Sequence, residues 1–324
     1  MTTAMTVTTN NTAGVVVGNF NEKFAQDWLE FNAGKAAATV RTYGKAIGNF
    51  LKWRAEHAVE EPTRADIIQY RDELCATKAT ATARLYTVAV KNLFKWLASE
   101  GKYLNVAAGV DLPKLDDDDA DTHKREALTL EEAKAVLSSF KGKKTEKDLR
   151  DALILRLMMN CGLRSVEVVR LDATDIEKRH GKIFLKVWGK GRKGKTARVE
   201  VSKTIYNQIL DYLNARGSKR EKGEAMFVST ARRNPGQRLT TKSISRIAKT
   251  TFRAVGIDSA LVSCHSCRHF AATQALLEGV DIARVQRFLM RHKSVETTAV
   301  YRHDIQRATD NTVQILSDLL DSVA

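Results

Sequence analysis

Apolar residues recur at helical spacing along most of this chain and alternate with polar ones in a single stretch. Phe20, Phe24 and Trp28 fall four residues apart, and Val40, Tyr43, Ile47, Phe50 and Leu51 make a second stripe. Such positions share one face of a helix with 3.6 residues per turn, so both runs predict amphipathic helices. Thr63 with Asp66 reads as a capping box and opens a helix through Ile67, Tyr70 and Leu74. Leu85, Val88, Leu93 and Leu97 predict the next. Trp28, Trp53 and Trp96 suit the core of this helical set better than a nucleotide-stacking role. Further on, Thr129-Leu-Glu-Glu132 is a stronger capping box before a helix over Ala133 to Phe140. Leu149, Leu153 and Leu157 predict another helix, ending near Gly162. The period then changes. Lys182 to Val187 and Thr196 to Val201 alternate and flank a glycine-rich turn, the pattern of a β-hairpin. Helical patterns return from Lys203 to the end.

These elements predict a mainly α chain with a small β-sheet, an α+β fold in two domains. Pro113 and the self-repelling run Asp116 to Asp119 mark a solvated break between Leu112 and Glu126. The expected division is a disordered tail over 1–18, a helical domain over 19–112, an acidic linker over 113–125 and a second domain over 126–324. Only three prolines occur in 324 residues, which fits a helix-rich chain.

Charge sharpens this picture. Of the formal net charge of +15, residues 19–112 carry +2, residues 113–124 carry −3 and residues 125–324 carry +16. A basic chain with no apolar run near the ~20 residues of a membrane span most often meets a polyanion, and nucleic acid is the usual one. The amino-terminal residues lack the basic and apolar blocks of a secretory signal. Four cysteines in so long a chain fit a reducing compartment. A cytoplasmic, nucleoid-associated protein is expected.

Two motifs invite a different chemistry. Gly189-Lys-Gly-Arg-Lys-Gly-Lys-Thr196 matches the phosphate-cradling pattern G-x-x-x-x-G-K-[ST]. That motif needs a helix after it to aim amides at phosphate, and the residues that follow alternate as a strand does. A basic hairpin against a DNA backbone suits Lys186, Lys190, Arg192, Lys193, Lys195 and Arg198 better. Cys264-His-Ser-Cys267 has two thiolates but no second cysteine pair to complete a tetrahedral zinc site. Neither a metal nor another cofactor is expected.

Three other segments matter together. In Cys161-Gly-Leu-Arg164-Ser-Val-Glu167, the glycine ends one helix, Arg164 begins the next, and Glu167 lies one turn on, placed to orient the arginine. In His265-Ser-Cys-Arg268, helical spacing puts His265 and Arg268 on one face. The third runs from Leu289 through His292 to Tyr301.

The succession GLRxxE, GKGxK, HxxRH and a histidine nine residues before a tyrosine resembles the tyrosine recombinase (lambda integrase) family, closest to its compact Xer-type and phage-integrase members. The likeness covers nearly all the chain after the tail. Three positions depart from the usual pattern: Cys161 replaces threonine, Cys267 replaces leucine, and Arg291 stands where the family has glycine. The resemblance implies a SAM-like helical core-binding domain and a carboxyl-terminal catalytic domain. It implies Tyr301 as the nucleophile that forms a 3′-phosphotyrosyl link. Arg164 and Arg268 would clamp the phosphate, with His265 and His292 hydrogen-bonding to it. Lys190, or else Lys193, would protonate the leaving 5′-oxygen, and Glu167 would hold the pocket in shape. It further implies double-stranded DNA sites as partners, a monomer in solution, a homo-tetramer on a Holliday junction, a terminal helix docking on the neighbouring protomer, and possible accessory proteins. A type IB-like topoisomerase and a silent DNA-binding relative are the alternatives.

Overall fold

The computed structural model describes residues 19–114, 126–188, 194–291 and 312–321. The chain divides into two compact units, Met1–Asp117 and Asp118–Ala324. The expected tail and most of the acidic segment lie outside the described residues. Among the described residues, no helix is long and apolar enough to cross a membrane.

Among the described residues the first unit has four helices, α1 (Lys23–Phe31), α2 (Ala37–Glu56), α3 (Arg64–Thr77) and α4 (Thr80–Ser99). The α3 capping box forms. The Thr63 amide donates to Asp66 Oδ2 at 2.8 Å, and the Asp66 amide donates back to Thr63 Oγ1 at 3.4 Å. Phe50 sits at the middle of the core, edge-on to Phe20, Tyr70 and Phe94 with ring centroids 6.5, 5.2 and 5.9 Å away. Such aromatic pairs add about 0.5–1.5 kcal/mol each beyond the area they bury. Trp28, Trp53 and Trp96 are all buried. In α4 the inward face differs from the expected one. Ala83, Val90, Leu93, Phe94 and Leu97 are buried, whereas Leu85 is 38% exposed. The stripe keeps its period but is carried near its start by a small residue, Ala83, which an apolar-bulk pattern overlooks.

The second unit opens with α5 (Leu130–Ser138), whose Thr129–Glu132 capping box is present. Next comes α6 (Glu146–Cys161), its amino end capped by Thr145. Leu153, Ile154, Leu155, Leu157 and Met158 are all buried, so the later turns of α6 are enclosed on nearly every side and form the axis of the unit. The later helices α8 (Lys203–Ala215) and α10 (Cys264–Leu277) pack on it.

Between α7 (Ser165–Val169) and α8 lies an antiparallel sheet, β1 (Ile176–Arg179), β2 (Lys182–Val187) and β3 (Ala197–Val201), in that order. β2 and β3 are the expected hairpin, with Ile183 opposite Val201 and Val187 opposite Ala197. Leu185, Val187, Val199 and Val201 point into the core. Because a strand follows the glycine-rich turn, no helix amino terminus is available to cradle phosphate there. The β1 strand was not expected, since Ile176 is the one apolar residue in Ile-Glu-Lys-Arg. It is set by the turn after it: His180 and Gly181 both have positive φ, 50° and 74°, which joins β1 to β2 through two residues.

Helical structure does not run unbroken from Lys203. Between α8 and α9 (Thr241–Ala254) the chain turns at Gly217, Gly223 and Gly236, all with positive φ, and Val228 bridges to Arg238. Arg150 on α6 anchors this segment by donating to the Val228 carbonyl at 2.9 Å. After α10, a short helix α11 (Ile282–Arg284) continues as a π-helical stretch, Val285–Met290. The last described element is α12 (Thr312–Asp321), on which Val313, Ile315 and Leu319 are exposed.

Candidate active site

The site grows from the corner between α6 and α7. Gly162 ends α6 in the left-handed conformation, φ 57°, and a Cβ there would stand 3.1 Å from the Leu289 carbonyl oxygen. Two residues later Arg164 precedes α7 with an extended backbone. Glu167, one turn on, folds back over it. The Arg164 amide donates to Glu167 Oε2 at 2.9 Å, and Arg164 Nη1 donates to Glu167 Oε1 at 2.9 Å. The Arg164 side chain stays 25% exposed while that of Glu167 is only 5% exposed. Glu167 therefore holds one guanidinium nitrogen, and a quarter of the Arg164 side chain stays accessible.

Arg268 comes from α10, whose amino end is capped by Ser263. Its buried guanidinium donates from Nη1 to the Gly162 carbonyl and from Nη2 to the Met290 carbonyl. A single planar fork thus ties the α6 corner to the end of the π-helical stretch, a two-pronged task suited to arginine. His265, three residues earlier on α10, is exposed. Its Nδ1 lies 3.7 Å from Cys264 Sγ, which is 3.3 Å from Ser165 Oγ on α7 and 3.4 Å from Ser245 Oγ on α9. Burial raises the Cys264 thiol, but hydrogen bonds from His265, Ser165 and Ser245 outweigh it and bring the pKa down to about 7. Cys264 is the joint through which the His265 end of α10 meets the Arg164 end of α7.

Arg291 closes the arrangement. It follows the π-helical stretch in the left-handed conformation, φ 52° and ψ 44°. Its Nη2 donates to Glu167 Oε2 at 2.8 Å and to the Gly162 carbonyl at 3.3 Å. Its Nη1 donates to the Leu289 carbonyl at 2.6 Å and the Cys161 carbonyl at 3.4 Å. Burial alone would raise the Glu167 pKa. The charge of Arg291, the Arg164 amide, and the charges of Arg164 and Arg268 outweigh that effect and hold the carboxyl below its usual range. One ionised carboxylate thus sits among three guanidinium groups, leaving an excess of positive charge at a corner where the Arg164 side chain is partly accessible.

Arg164, Glu167 and Arg268 come together as elements of one corner, with His265 joined to it through Cys264. Lys190, Arg192, Lys193, His292 and Tyr301 lie outside the described residues. In the hairpin, Lys186 stands opposite Arg198 across β2 and β3. The Lys195 ammonium sits between the Asp172 and Asp175 carboxylates, 2.6 Å from Asp172 Oδ2. Arg198 Nε is 2.9 Å from Glu177 Oε2 on β1. Lys195 and Arg198 therefore each have a protein counter-ion, which a count of basic residues does not reveal. Sequence reasoning missed Arg291 and Cys264 as parts of the corner. The only signal for Arg291 was its place where a glycine is usual.

A family model described as the phage integrase family matches residues 126–307, more than half of the chain. The chain belongs to the phage integrase family. A second model, the phage integrase amino-terminal SAM-like domain, matches residues 26–101. Among curated relatives, tyrosine recombinase XerC of Corynebacterium glutamicum is 33% identical over 158 residues, covering 49% of this chain and 48% of the relative. Tyrosine recombinase XerA of Pyrococcus horikoshii is 34% identical over 175 residues, covering 54% of this chain and 55% of the relative. The chain spans about half the length of the curated relatives it matches. The XerH site-specific recombinase in a post-cleavage complex with palindromic difH substrate superposes with a TM-score of 0.71 at 17% identity, covering 90% of this chain and 84% of that one. A lambda integrase dimer bound to a COC′ core site gives 0.64 at 17% identity, covering 88% and 95%. These superpositions establish the shared fold: a SAM-like helical domain followed by an integrase-type catalytic domain.

Proposed function

We propose that this protein is a site-specific DNA recombinase that cuts and rejoins strands through a covalent phosphotyrosyl intermediate. The observation that carries this reading is the gathering of Arg164 and Arg268 at the Gly162 corner, with Glu167 bonded to the inner edge of Arg164. Guanidinium groups favour the transition state of phosphoryl transfer, because charge builds on the non-bridging oxygens. Arg164 is held by Glu167 for that task, and Arg268, whose Nη1 and Nη2 donate to backbone carbonyls, meets the phosphate through its remaining N–H groups. Tyr301 attacks the phosphorus. The phenolic oxygen–phosphorus bond forms, the bond to the 5′-oxygen breaks, and that oxygen leaves with a proton from Lys190 or Lys193. His265 hydrogen-bonds to the phosphate and helps move the tyrosine proton, and His292 donates another hydrogen bond to a phosphate oxygen. The new ester retains the energy of the old one, so a 5′-hydroxyl from another strand reverses the step without ATP.

Family membership and the named relatives support this over a type IB-like topoisomerase or a silent DNA-binding protein. By analogy with a lambda integrase tetramer bound to a Holliday junction, we assign the same kind of assembly on paired duplex sites to this chain. The exposed apolar residues of α12 suit docking on the adjacent protomer. The hairpin cations Lys186, Lys190, Arg192 and Lys193 suit the DNA backbone, Lys195 and Arg198 joining them by exchanging a carboxylate for a phosphate. Accessory proteins and a nucleoid location belong to the same proposal, as do the boundaries at 113–125.

Covalent trapping tests it. On a nicked duplex selected from a randomised pool, the parent protein leaves a protein–DNA adduct on a denaturing gel, and Tyr301→Phe leaves none. An equal adduct yield from Tyr301→Phe would overturn the nucleophile assignment.

A further inference from the structure

Arg291 has no part in the reaction just described, yet it occupies the centre of the corner. We infer that Arg291 is a positioning residue: it takes up the second oxygen of the Glu167 carboxylate and so keeps the outer edge of Arg164 available to the scissile phosphate. The inference rests on the recombinase reading.

The first support is conformational. At φ 52° an L residue is strained and glycine is at ease. An arginine in such a place must contribute through its side chain what its backbone loses. The second is the enclosure of that side chain, which is 11% exposed and fastened by both terminal nitrogens. It is held too tightly to act as an arm reaching for DNA. The third is the division of Glu167. Oε1 serves Arg164 Nη1, while Oε2 serves the Arg164 amide and Arg291 Nη2. If Arg291 were absent, Glu167 Oε2 would keep only the Arg164 amide as a hydrogen-bond donor, since the Arg268 fork is engaged on backbone carbonyls, and a bidentate pair with Arg164 would draw its guanidinium inward. The fourth is a shared acceptor. Arg291 and Arg268 both donate to the Gly162 carbonyl, so one side chain fixes the spacing of the two clamp arginines. A glycine at this position supplies the turn but none of these bonds.

The experiment compares Arg291→Gly and Arg291→Lys with the parent on the nicked duplex selected by covalent trapping. Arg291→Gly folds, because glycine suits the backbone there. It binds the duplex within about twofold of the parent but cleaves roughly 10- to 100-fold more slowly in a single turnover, the scale of loss for a misplaced catalytic group. Arg291→Lys recovers part of the rate, since the charge returns without the fork. In a Glu167→Gln background the Arg291→Gly change slows cleavage little further, because the effect runs through Glu167. Parental cleavage by Arg291→Gly, or a loss that multiplies fully with Glu167→Gln, would overturn the inference, as would equal losses of binding and cleavage. A parent protein that traps no duplex from the pool counts against the recombinase reading instead. Melting temperatures of the two single variants and the double variant then decide on Arg291 without DNA. Less-than-additive losses support the pairing with Glu167, and additive losses refute it.

Discussion

At the scale of single residues the decisive group is Glu167, a buried anion among guanidinium groups. Because its folded-state pKa is depressed, its contribution to stability is fully present above the unfolded carboxyl pKa of about 4.3 and is lost as pH falls through the folded value. Glu167→Gln keeps the shape and removes the charge, leaving Arg291 enclosed without its counter-ion. Breaking such a pair costs about 3 kcal/mol near pH 7. Urea titrations from pH 7 down to pH 3 test this: the gap between parent and Glu167→Gln narrows on acidification below pH 4.3, and a gap constant with pH would refute the charge argument. Glu167 was legible in the sequence as a partner for Arg164, three residues away on one helix face. Its bond to Arg291, 124 positions on, was not, because no local spacing relates the two.

At the scale of elements, the corner depends on how α6 stops. Gly162 is needed twice over, for its left-handed backbone and for the close approach of the Leu289 carbonyl. Gly142 also has a positive φ, 78°, but nothing lies within 4 Å of its Cβ position. Gly142→Ala therefore loses only backbone ease, about 1 kcal/mol. Gly162→Ala adds a clash with backbone and costs more, about 2–3 kcal/mol, with slower cleavage because both Arg164 and the Arg268 acceptor shift. Equilibrium unfolding of the two variants checks the ranking, and equal losses would contradict it. The helix ends, both capping boxes and the β2–β3 hairpin were all legible, since each depends on residues within a few positions of one another. The β1 strand and the non-helical stretch between α8 and α9 were not. Strand pairing and a buried arginine anchor, Arg150 to Val228, override weak local patterns there.

At the scale of the whole molecule, charge dominates. Residues 125–324 carry +16 of the net +15, the other segments nearly cancelling. Binding to duplex DNA should weaken steeply with salt, as displaced counter-ions return to the phosphates. A protein contacting six or more phosphates loses roughly 10³-fold in affinity between about 50 and 200 mM monovalent salt. Fluorescence anisotropy with a labelled duplex measures the slope. A flat salt dependence would mean that the basic surface does not track the backbone.

The sequence by itself determined the helical periods, the hairpin, the basic second half and the succession of chemistry-bearing segments that identifies the family, because each is written in short stretches of chain. Tertiary structure alone decided which cations already have partners. Lys195 and Arg198 looked like free basic residues and are paired with carboxylates from neighbouring elements. Arg291 looked like a misfit in a glycine's place and is instead bonded to Glu167 and to the carbonyl of Gly162. The physical reason is range: periodicity reports on neighbours within a turn or a strand, whereas a charge is balanced by whatever the fold brings within about 4 Å of it.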